Sequence, residues 1–238
     1  LRRPYEVVDV IQERGNAWTL VVSPIKHAGI KFMPGQFAWL TAWKSPFEEA
    51  EHPFSISSSA NQRDRICLTI KELGDFTRTI KKMQPGQKVY LDGPYGSFSI
   101  DRHPHASQFA FIAGGVGITP IMSMLRTLAD RGDQRPLLLI YANKDWESVI
   151  FREEIVSFEA KLDLTVVHVL DDPPSDWEGE TGFVTQSMLD RYLPKEKERD
   201  TVEVFICGPP PMMNAVESAL TKIGLPIGDF HSERFNLV

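Results

Sequence analysis

The chain has 238 residues, enough for two domains of ordinary size that each enclose their own core. A formal net charge of −6 and a pI near 5.6, with no basic run beyond Arg2 and Arg3, argue against a nucleic-acid partner. Cys67 and Cys207 are the two cysteines, too few for a four-cysteine iron–sulfur centre or a disulfide framework, and we predict no metal site.

The first part of the chain consists of short segments of alternating polarity separated by Gly, Pro and Asn. These segments cover residues 5–11, 18–22, 37–43, 54–58, 66–70 and 88–91. Such a pattern is typical of an antiparallel β-barrel. One helix interrupts it, predicted over 75–83, with Asp75 as its N-cap.

After residues 102–105 the pattern changes to strands that alternate with helices. Strands are predicted at 109–113, 137–141, 164–169 and 204–207, and apolar residues from Ile118 to Leu128 recur at helical spacing. We therefore predict a β-barrel domain over residues 1–103 and an α/β domain with a Rossmann-like parallel sheet over residues 104–238. The boundary is placed near residues 103–107.

Two segments, 109–122 and 206–212, each run from an apolar strand through a Gly- and Pro-rich turn towards a helix. A parallel sheet brings such turns together at its carboxyl edge, where backbone N–H groups can bind a pyrophosphate. Gly114, Gly115 and Gly117 would let the backbone approach the ligand, and Thr119 and Pro120 open the helix. The alternative is a tight strand-to-helix turn that binds no ligand.

Five motifs occur in one order along the whole chain: His-Pro-Phe-Ser at 52–55, Gly-Asp-Phe-Thr at 74–77, Gly-Pro-Tyr-Gly at 93–96, Gly-Gly-Val-Gly-Ile-Thr-Pro at 114–120 and Cys-Gly-Pro at 207–209. This order resembles the ferredoxin–NADP reductase superfamily. Within it, the His-Pro-Phe-Ser motif is most similar to the dehydrogenase domain of NADPH oxidases and ferric-reductase-like transmembrane proteins. The resemblance implies a flavoprotein oxidoreductase that binds FAD and NADPH or NADH.

In the 52–55 motif, strand alternation sends His52 and Phe54 to one face and Pro53 and Ser55 to the other. The resemblance implies that Phe54 lies near the flavin ring, that Ser55 hydrogen-bonds near its N5 atom and that His52 contacts the phosphates. The alternative is an ordinary barrel strand with Phe54 in the core and Ser55 exposed.

The segment that holds Lys71, Gly74, Asp75, Phe76 and Thr77 resembles the flavin pyrophosphate loop of the family. Lys71 stands where Arg is common and would act as a point charge. Phe76 could stack on adenine, which favours FAD over FMN, or could be a core anchor. Asp75 would cap a helix in either case.

In the second domain, Cys207, Gly208 and Pro209 match the family's Cys-Gly-Pro turn, which implies that the sulfur lies beside the nicotinamide and aligns it. The alternative is a small buried apolar residue. Phe235 is the aromatic residue that relatives place against the flavin ring, although this chain continues three residues beyond it.

Nucleotide preference depends on the residues after the second strand of this domain. Lys144 would favour the 2′-phosphate of NADPH, and Asp145 beside it would oppose this preference, so NADH remains possible. Glu147, Arg152 and Glu153 are interpreted as a solvated helix face.

The electron acceptor lies outside the sequence. Because the chain begins at Leu1, and because of the resemblance, we expect the C-terminal part of a longer protein on the cytoplasmic side of a membrane, with a haem-bearing membrane domain as acceptor. The isolated domain would be soluble. Two alternatives stay open: a stand-alone reductase for a ferredoxin, flavodoxin or oxygenase, and a non-catalytic flavin-binding regulatory module.

Overall fold

A computed structural model describes residues 2–42, 51–194 and 202–234. These residues form two six-stranded sheets, the first antiparallel with strand order β4-β3-β6-β1-β2-β5 and the second mainly parallel with order β10-β9-β8-β7-β11-β12. Within these ranges, no helix combines the length and the apolar character needed to span a membrane.

The strands of the first sheet are β1 (Arg3–Gln12), β2 (Ala17–Pro24), β3 (Phe37–Thr41), β4 (His52–Ser55), β5 (Ile66–Lys71) and β6 (Lys88–Tyr95). Alternate residues on these strands, among them Leu20, Leu40 and Leu91, point into one buried core. Ile56, just after β4, forms an isolated bridge with Leu68 of β5 and so joins the two outermost strands. The sheet is therefore a curled half-barrel.

The strands of the second sheet are β7 (Gln108–Gly114), β8 (Leu137–Asn143), β9 (Leu164–Leu170), β10 (Glu180–Thr181), β11 (Val202–Cys207) and β12 (Phe230–Glu233). Its helices are α1 (Ile118–Arg131), α2 (Arg152–Glu159), α3 (Gln186–Tyr192) and α4 (Pro210–Lys222). Helices α1 and α2 cover one face and α3 and α4 the other. Because both faces are covered, β7 is apolar on both sides, with Phe111 in one core and Ile112 in the other.

The predicted fold class is confirmed: an antiparallel curled sheet is followed by a Rossmann-like parallel sheet. All ten predicted strands are present, with ends shifted by a few residues, but β10 and β12 were not predicted. These two strands are short and lie at the edges of the sheet, where a strand needs no long apolar run. Residue 43, the end of one predicted strand, lies outside the described residues.

The predicted helical stretch over 75–83 is present but shorter, and its predicted N-cap is wrong. The structure has a 3-10 helix at Thr77–Lys82, and Phe76 rather than Asp75 occupies the N-cap position without a side-chain hydrogen bond. Asp75 instead pairs with Arg78 at 3.2 Å on the surface. The carboxylate therefore interacts with a side chain, and the Arg78 and Thr79 N–H groups of the first turn donate to the backbone carbonyls of Gly74 and Phe76 instead.

Helix α1 is bonded to the segment that follows β4. Its Ser123 hydroxyl donates to the Ser58 carbonyl at 2.7 Å, and Arg126 Nη1 donates to the Ser57 carbonyl at 2.6 Å. Arg126 also donates two hydrogen bonds to the Glu154 carboxylate, from Nε at 2.8 Å and from Nη2 at 2.6 Å. Since α1 starts at the glycine-rich turn, these bonds fix that turn relative to β4.

Candidate flavin and nucleotide site

Strand β4 consists of four predicted flavin-binding residues, His52 to Ser55, and strand alternation separates His52 and Phe54 from Pro53 and Ser55 as expected. His52 and Phe54 share one face, where both are nearly parallel to the Phe76 ring, with centroid distances of 3.8 Å for His52 and 6.1 Å for Phe54. Partial burial lowers the pKa of His52, so its imidazole is mainly neutral at pH 7. This face of β4 is therefore an uncharged aromatic surface.

The Ser55 hydroxyl lies on the opposite face and is buried, contrary to the alternative in which it is exposed. Its Oγ atom has no hydrogen-bond partner among the described residues. Ser55 is paired with Phe37 of β3, and Phe37 also packs against Tyr95 at 5.9 Å. A buried hydroxyl without a partner costs about 1 to 3 kcal/mol, so an external hydrogen-bond partner would be favoured here.

The predicted pyrophosphate loop is organised by Thr77. Its Oγ1 atom accepts hydrogen bonds from the backbone N–H groups of Leu73 and Gly74, at 2.8 and 2.9 Å, and donates to the Gly74 carbonyl at 3.0 Å. Lys71 lies at the end of β5, immediately before this loop. Phe76 packs on the barrel core as well as on His52, so it serves as an anchor whether or not it also contacts adenine.

The glycines of the second domain have two different roles. A Cβ atom at Gly117 would lie 2.2 Å from the Cys207 carbonyl oxygen, and one at Gly114 would lie 2.7 Å from Met212 Sδ. A Cβ at Gly208 would similarly lie 3.0 Å from the Gly114 nitrogen. These three glycines let the two strand-turn-helix units pack against each other.

Gly115 differs from these glycines because a Cβ atom there would meet nothing within 4 Å, and its φ is +52°. Its carbonyl accepts a hydrogen bond from the Tyr141 hydroxyl at 3.0 Å, which fixes the turn. The Thr119 hydroxyl donates to the Val116 carbonyl at 3.0 Å, and Pro120 is buried in the first turn of α1. Of the predicted glycines in this turn, Gly115 is thus the one with open space beside it.

Cys207 ends β11 and is almost fully buried. Burial, and secondarily the nearby Glu233 carboxylate, raise the pKa of its thiol far above the usual value, so the sulfur remains protonated. This state agrees with a sulfur that packs against a ligand rather than one that attacks it. Gly208 and Pro209 follow in the turn that precedes α4.

Sequence reasoning missed Glu233, which is the last residue of β12 and is paired with Cys207. Its carboxylate oxygen lies 3.8 Å from the position of a Cβ atom on Gly96, which belongs to the first sheet's Gly-Pro-Tyr-Gly motif. Desolvation raises the pKa of Glu233. The signal in the sequence was an acidic residue two positions before the predicted aromatic residue. Phe235 itself lies outside the described residues, and its role stays a prediction.

Lys144 and Asp145, which were predicted to oppose each other in nucleotide selection, have different roles in the structure. Asp145 caps the short helix Trp146–Ser148 by accepting a hydrogen bond from the Ser148 N–H at 2.8 Å. Lys144 is exposed directly after β8. Asp145 thus has a structural role, and Lys144 is the cation at this end of the strand.

The interpretation of 147–153 as a solvated helix face was correct for the glutamates and wrong for Arg152. Glu147 and Glu153 are exposed and both pair with Arg14 at 2.8 Å. The Arg152 guanidinium instead lies over the Trp146 ring, 4.6 Å from its centroid, with only 16% of its side chain exposed. Stacking on an aromatic ring removes Arg152 from solvent.

The site therefore combines features that fit two cofactors. The unpartnered buried hydroxyl of Ser55, beside aromatic side chains, suits a flavin ring. The open turn at Gly115, at the carboxyl end of a parallel strand and the start of α1, suits a dinucleotide pyrophosphate. These features define the class as flavin- and nicotinamide-nucleotide-binding oxidoreductases.

Comparison with known families agrees with this class. Residues 5–99 match an FAD-binding domain, and residues 111–218 match an oxidoreductase NAD-binding domain. The chain belongs to the ferredoxin reductase-like superfamily of FAD- and NAD-binding oxidoreductases. The domain boundary predicted near residues 103–107 falls between the two matched ranges and stays a prediction.

Curated relatives of this chain include reductases of two kinds. NADH-cytochrome b5 reductase 2 of Pyricularia oryzae is 33% identical over 69% of this chain and 50% of its own length. The glycine betaine monooxygenase reductase subunit of Chromohalobacter salexigens is 29% identical over 98% of this chain and 64% of its own length. The chain thus spans about half to two thirds of the curated relatives that it matches.

Solved structures share the fold over nearly the whole chain. The cytochrome b5 reductase domain of Ulva prolifera nitrate reductase has a TM-score of 0.83 and 20% identity, covering 98% of this chain and 97% of that one. The ferredoxin NADP+ reductase of Neisseria gonorrhoeae, described with bound FAD and NADP, has a TM-score of 0.81 and 19% identity, and covers 98% of each chain. The similarity to NADPH oxidases expected from the sequence is not shown by these comparisons.

Proposed function

We propose that this chain is the reductase module of an electron-transfer system, which oxidises NADH or NADPH and delivers single electrons to a separate redox protein. The observation that carries the proposal is that Glu233, which is paired with Cys207, lies 3.8 Å from the position of a Cβ atom on Gly96 in the flavin domain. That position is also next to Phe37, the strand partner of Ser55, whose buried hydroxyl has no partner among the described residues. Bound FAD would supply the conversion of a two-electron hydride into single electrons.

On the flavin side, the Ser55 hydroxyl would donate a hydrogen bond to the ring, and the aromatic face formed by His52, Phe54 and Phe76 would exclude water. The Gly74 to Thr77 loop and Lys71 would hold the pyrophosphate. This assignment is supported by the loop's Thr77 hydrogen bonds, which set the backbone in one conformation before any ligand binds.

On the nucleotide side, Gly115 and the start of α1 would hold the dinucleotide pyrophosphate. Cys207 and Glu233 would line the place where the nicotinamide meets the flavin. A protonated thiol there offers a polarizable, uncharged contact, and a half-buried carboxylate with a raised pKa offers a hydrogen bond to the carboxamide of the nicotinamide. These residues position the donor, and none of them needs to form a covalent bond.

The acceptor is proposed from the relatives, which are named as reductases of cytochrome b5 or of oxygenases. Their names favour the stand-alone alternative over the haem-bearing membrane domain that the sequence led us to expect. They also favour NADH as the main donor, with Lys144 deciding how well NADPH competes. The regulatory-module alternative is disfavoured because the nucleotide turn and the Cys207 and Glu233 pair are complete.

The test is anaerobic reduction of the FAD-reconstituted protein by NADH or NADPH, followed by flavin absorbance in a stopped-flow instrument. The reduced protein is then mixed with cytochrome b5 or with a [2Fe–2S] ferredoxin. Bleaching of the flavin band and one-electron reduction of either partner are expected. A protein that binds no FAD, or whose flavin neither nucleotide reduces, would contradict the proposal. Reduction of the flavin without transfer to either partner would leave the oxidoreductase class intact and reject this kind of acceptor.

A further inference from the structure

Two histidines and a glutamate from three separate elements converge on the second sheet. His103 follows the short helix Ile100–Arg102, between the two sheets, whereas Glu203 lies on β11 and His231 on β12. One Glu203 oxygen lies 3.1 Å from His103 Nδ1, and the other lies 2.6 Å from His231 Nε2. One potential ligand atom from each residue lies within 4.8 Å of the others, the one such group of three among the described residues.

A buried aromatic residue holds both imidazole rings in place. Phe205 is fully buried, and its ring centroid lies 5.8 Å from that of His103 and 5.1 Å from that of His231. The imidazole centroids are themselves 4.1 Å apart. Each of the three side chains of the cluster is 20% to 24% exposed, so the group is both ordered and reachable from solvent.

We propose that His103, Glu203 and His231 form a binding site for a divalent transition-metal ion, with Zn²⁺ as the best candidate. Two imidazole nitrogens and one carboxylate oxygen form the ligand set of three-ligand zinc sites, which leave one position for water. Tetrahedral Zn²⁺ with bonds of about 2.1 Å separates its ligand atoms by roughly 3.4 Å. The His103–Glu203 contact of 3.1 Å is near that separation, whereas the His231–Glu203 contact of 2.6 Å is a direct hydrogen bond to the other carboxylate oxygen. Binding therefore requires that hydrogen bond to open and one carboxylate oxygen to turn towards both rings.

This site is distinct from the flavin and nucleotide site. Glu203 precedes Cys207 by four residues on one extended strand, which corresponds to about 13 Å. A bound ion would link the segment between the sheets to β11 and β12, and β12 continues from His231 directly to Glu233. The expected effect is a stiffer edge of the sheet rather than a role in hydride transfer. The sequence predicted no metal site because these residues are far apart in the chain.

Calorimetric titration of the FAD-reconstituted protein with ZnCl₂ tests the proposal directly. One Zn²⁺ per chain is expected, and His103→Asn, Glu203→Gln and His231→Asn should each weaken binding by at least about tenfold. His105→Asn is the matched control, because His105 is exposed two residues from His103 and belongs to no such group. Its affinity for Zn²⁺ should equal that of the wild type.

Thermal unfolding gives a second measurement on the same proteins. Zn²⁺ at about 100 times its Kd should raise the Tm of the wild type and of His105→Asn by roughly 5 to 10 °C, and that of the three variants much less. Should a variant not fold, visible absorption of the wild type with Co²⁺ still reports tetrahedral binding. The absence of saturable binding, or equal Zn²⁺ affinity in the wild type and the folded variants, would overturn the proposal.

Discussion

Cys207 and Glu233 are paired at the carboxyl ends of β11 and β12, and the Glu233 carboxylate lies 3.8 Å from the position of a Cβ atom on Gly96, which directly follows β6 of the first sheet. Burial raises the pKa of both side chains. The pair is therefore a weakly acidic, desolvated group at the point where the two halves of the chain meet. Glu233, the last residue of the short edge strand β12, therefore belongs to the proposed hydride-transfer site.

Glu233→Gln should make the protein more stable at neutral and alkaline pH. The native state holds the Glu233 proton more tightly than the unfolded chain, whose pKa is near 4.5. The wild type therefore loses stability as the pH rises from about 4.5 through the raised native pKa, and the neutral amide avoids this loss. Thermal unfolding of FAD-free protein between pH 4.5 and 8.5 should show a Tm difference that grows with pH. The exposed Glu159→Gln is the control, and a constant difference would contradict the assignment.

Ser55→Ala should slow flavin reduction by about ten- to a hundredfold, since the transition state loses one well-placed hydrogen bond. The variant should fold normally, because the hydroxyl has no partner among the described residues. Ser57→Ala is a matched control: its hydroxyl contacts Thr69 at 2.9 Å, so this change should lower stability and leave the reduction rate near the wild type. Stopped-flow absorbance measures the flavin reduction rate of both variants. Equal rates in Ser55→Ala and the wild type would show that Ser55 is not part of the site.

Alanine substitutions should separate the two roles of the glycines. Gly117→Ala forces a Cβ against the Cys207 carbonyl and should cost about 1 to 3 kcal/mol of stability or more. Gly115→Ala meets no atom but keeps a positive φ, as does Gly132→Ala far from the turn, so each should lose about 1 kcal/mol. Of the Gly115→Ala and Gly132→Ala variants, only Gly115→Ala should also weaken nucleotide binding, measured by flavin difference spectra. Equal nucleotide dissociation constants for these two variants would show that the Gly115 turn binds no nucleotide.

Arg126→Met should uncouple the two halves of the protein. The change removes the bonds to the Ser57 carbonyl and leaves the Glu154 carboxylate unpaired, at a cost of roughly 1 to 3 kcal/mol. We expect a lower urea midpoint and a broader transition by tryptophan fluorescence. Arg78→Met, which breaks the exposed pair with Asp75, should change stability by less than about 0.5 kcal/mol. Similar midpoints for both variants would contradict a coupling role for Arg126.

Lys144→Ala should change the preference between nucleotides and not the chemistry. Loss of the exposed cation after β8 should weaken binding of NADP⁺ by several-fold, about 1 kcal/mol, and leave NAD⁺ binding unchanged. Lys88→Ala, another exposed lysine, controls for a general loss of positive charge. Flavin difference spectra with both oxidised nucleotides provide the constants, and an equal effect on both nucleotides would exclude Lys144 as the residue that selects NADPH.

The sequence alone determined the architecture, because its pattern of apolar residues changes near residue 103. Before that point short segments alternate between polar and apolar residues, and after it apolar strands alternate with helices. It also placed Cys207 at the end of a strand, whereas Ser55, predicted near the start of a strand over 54–58, is the last residue of β4. Glycine content located the turn at 114–117, but could not distinguish Gly117, which packs against Cys207, from Gly115, which faces open space.

Tertiary structure decided everything that depends on strands distant in the sequence lying side by side. The pairing of β11 with β12 brings Glu233 to Cys207 and His231 to Glu203, and the local sequence around either acid does not specify these partners. The same holds for Arg126, whose helix reaches back to the segment after β4. Burial and hydrogen-bond partners belong to the packed chain, and so do the pKa shifts that burial causes, because desolvation depends on what covers a group and not on its neighbours in sequence.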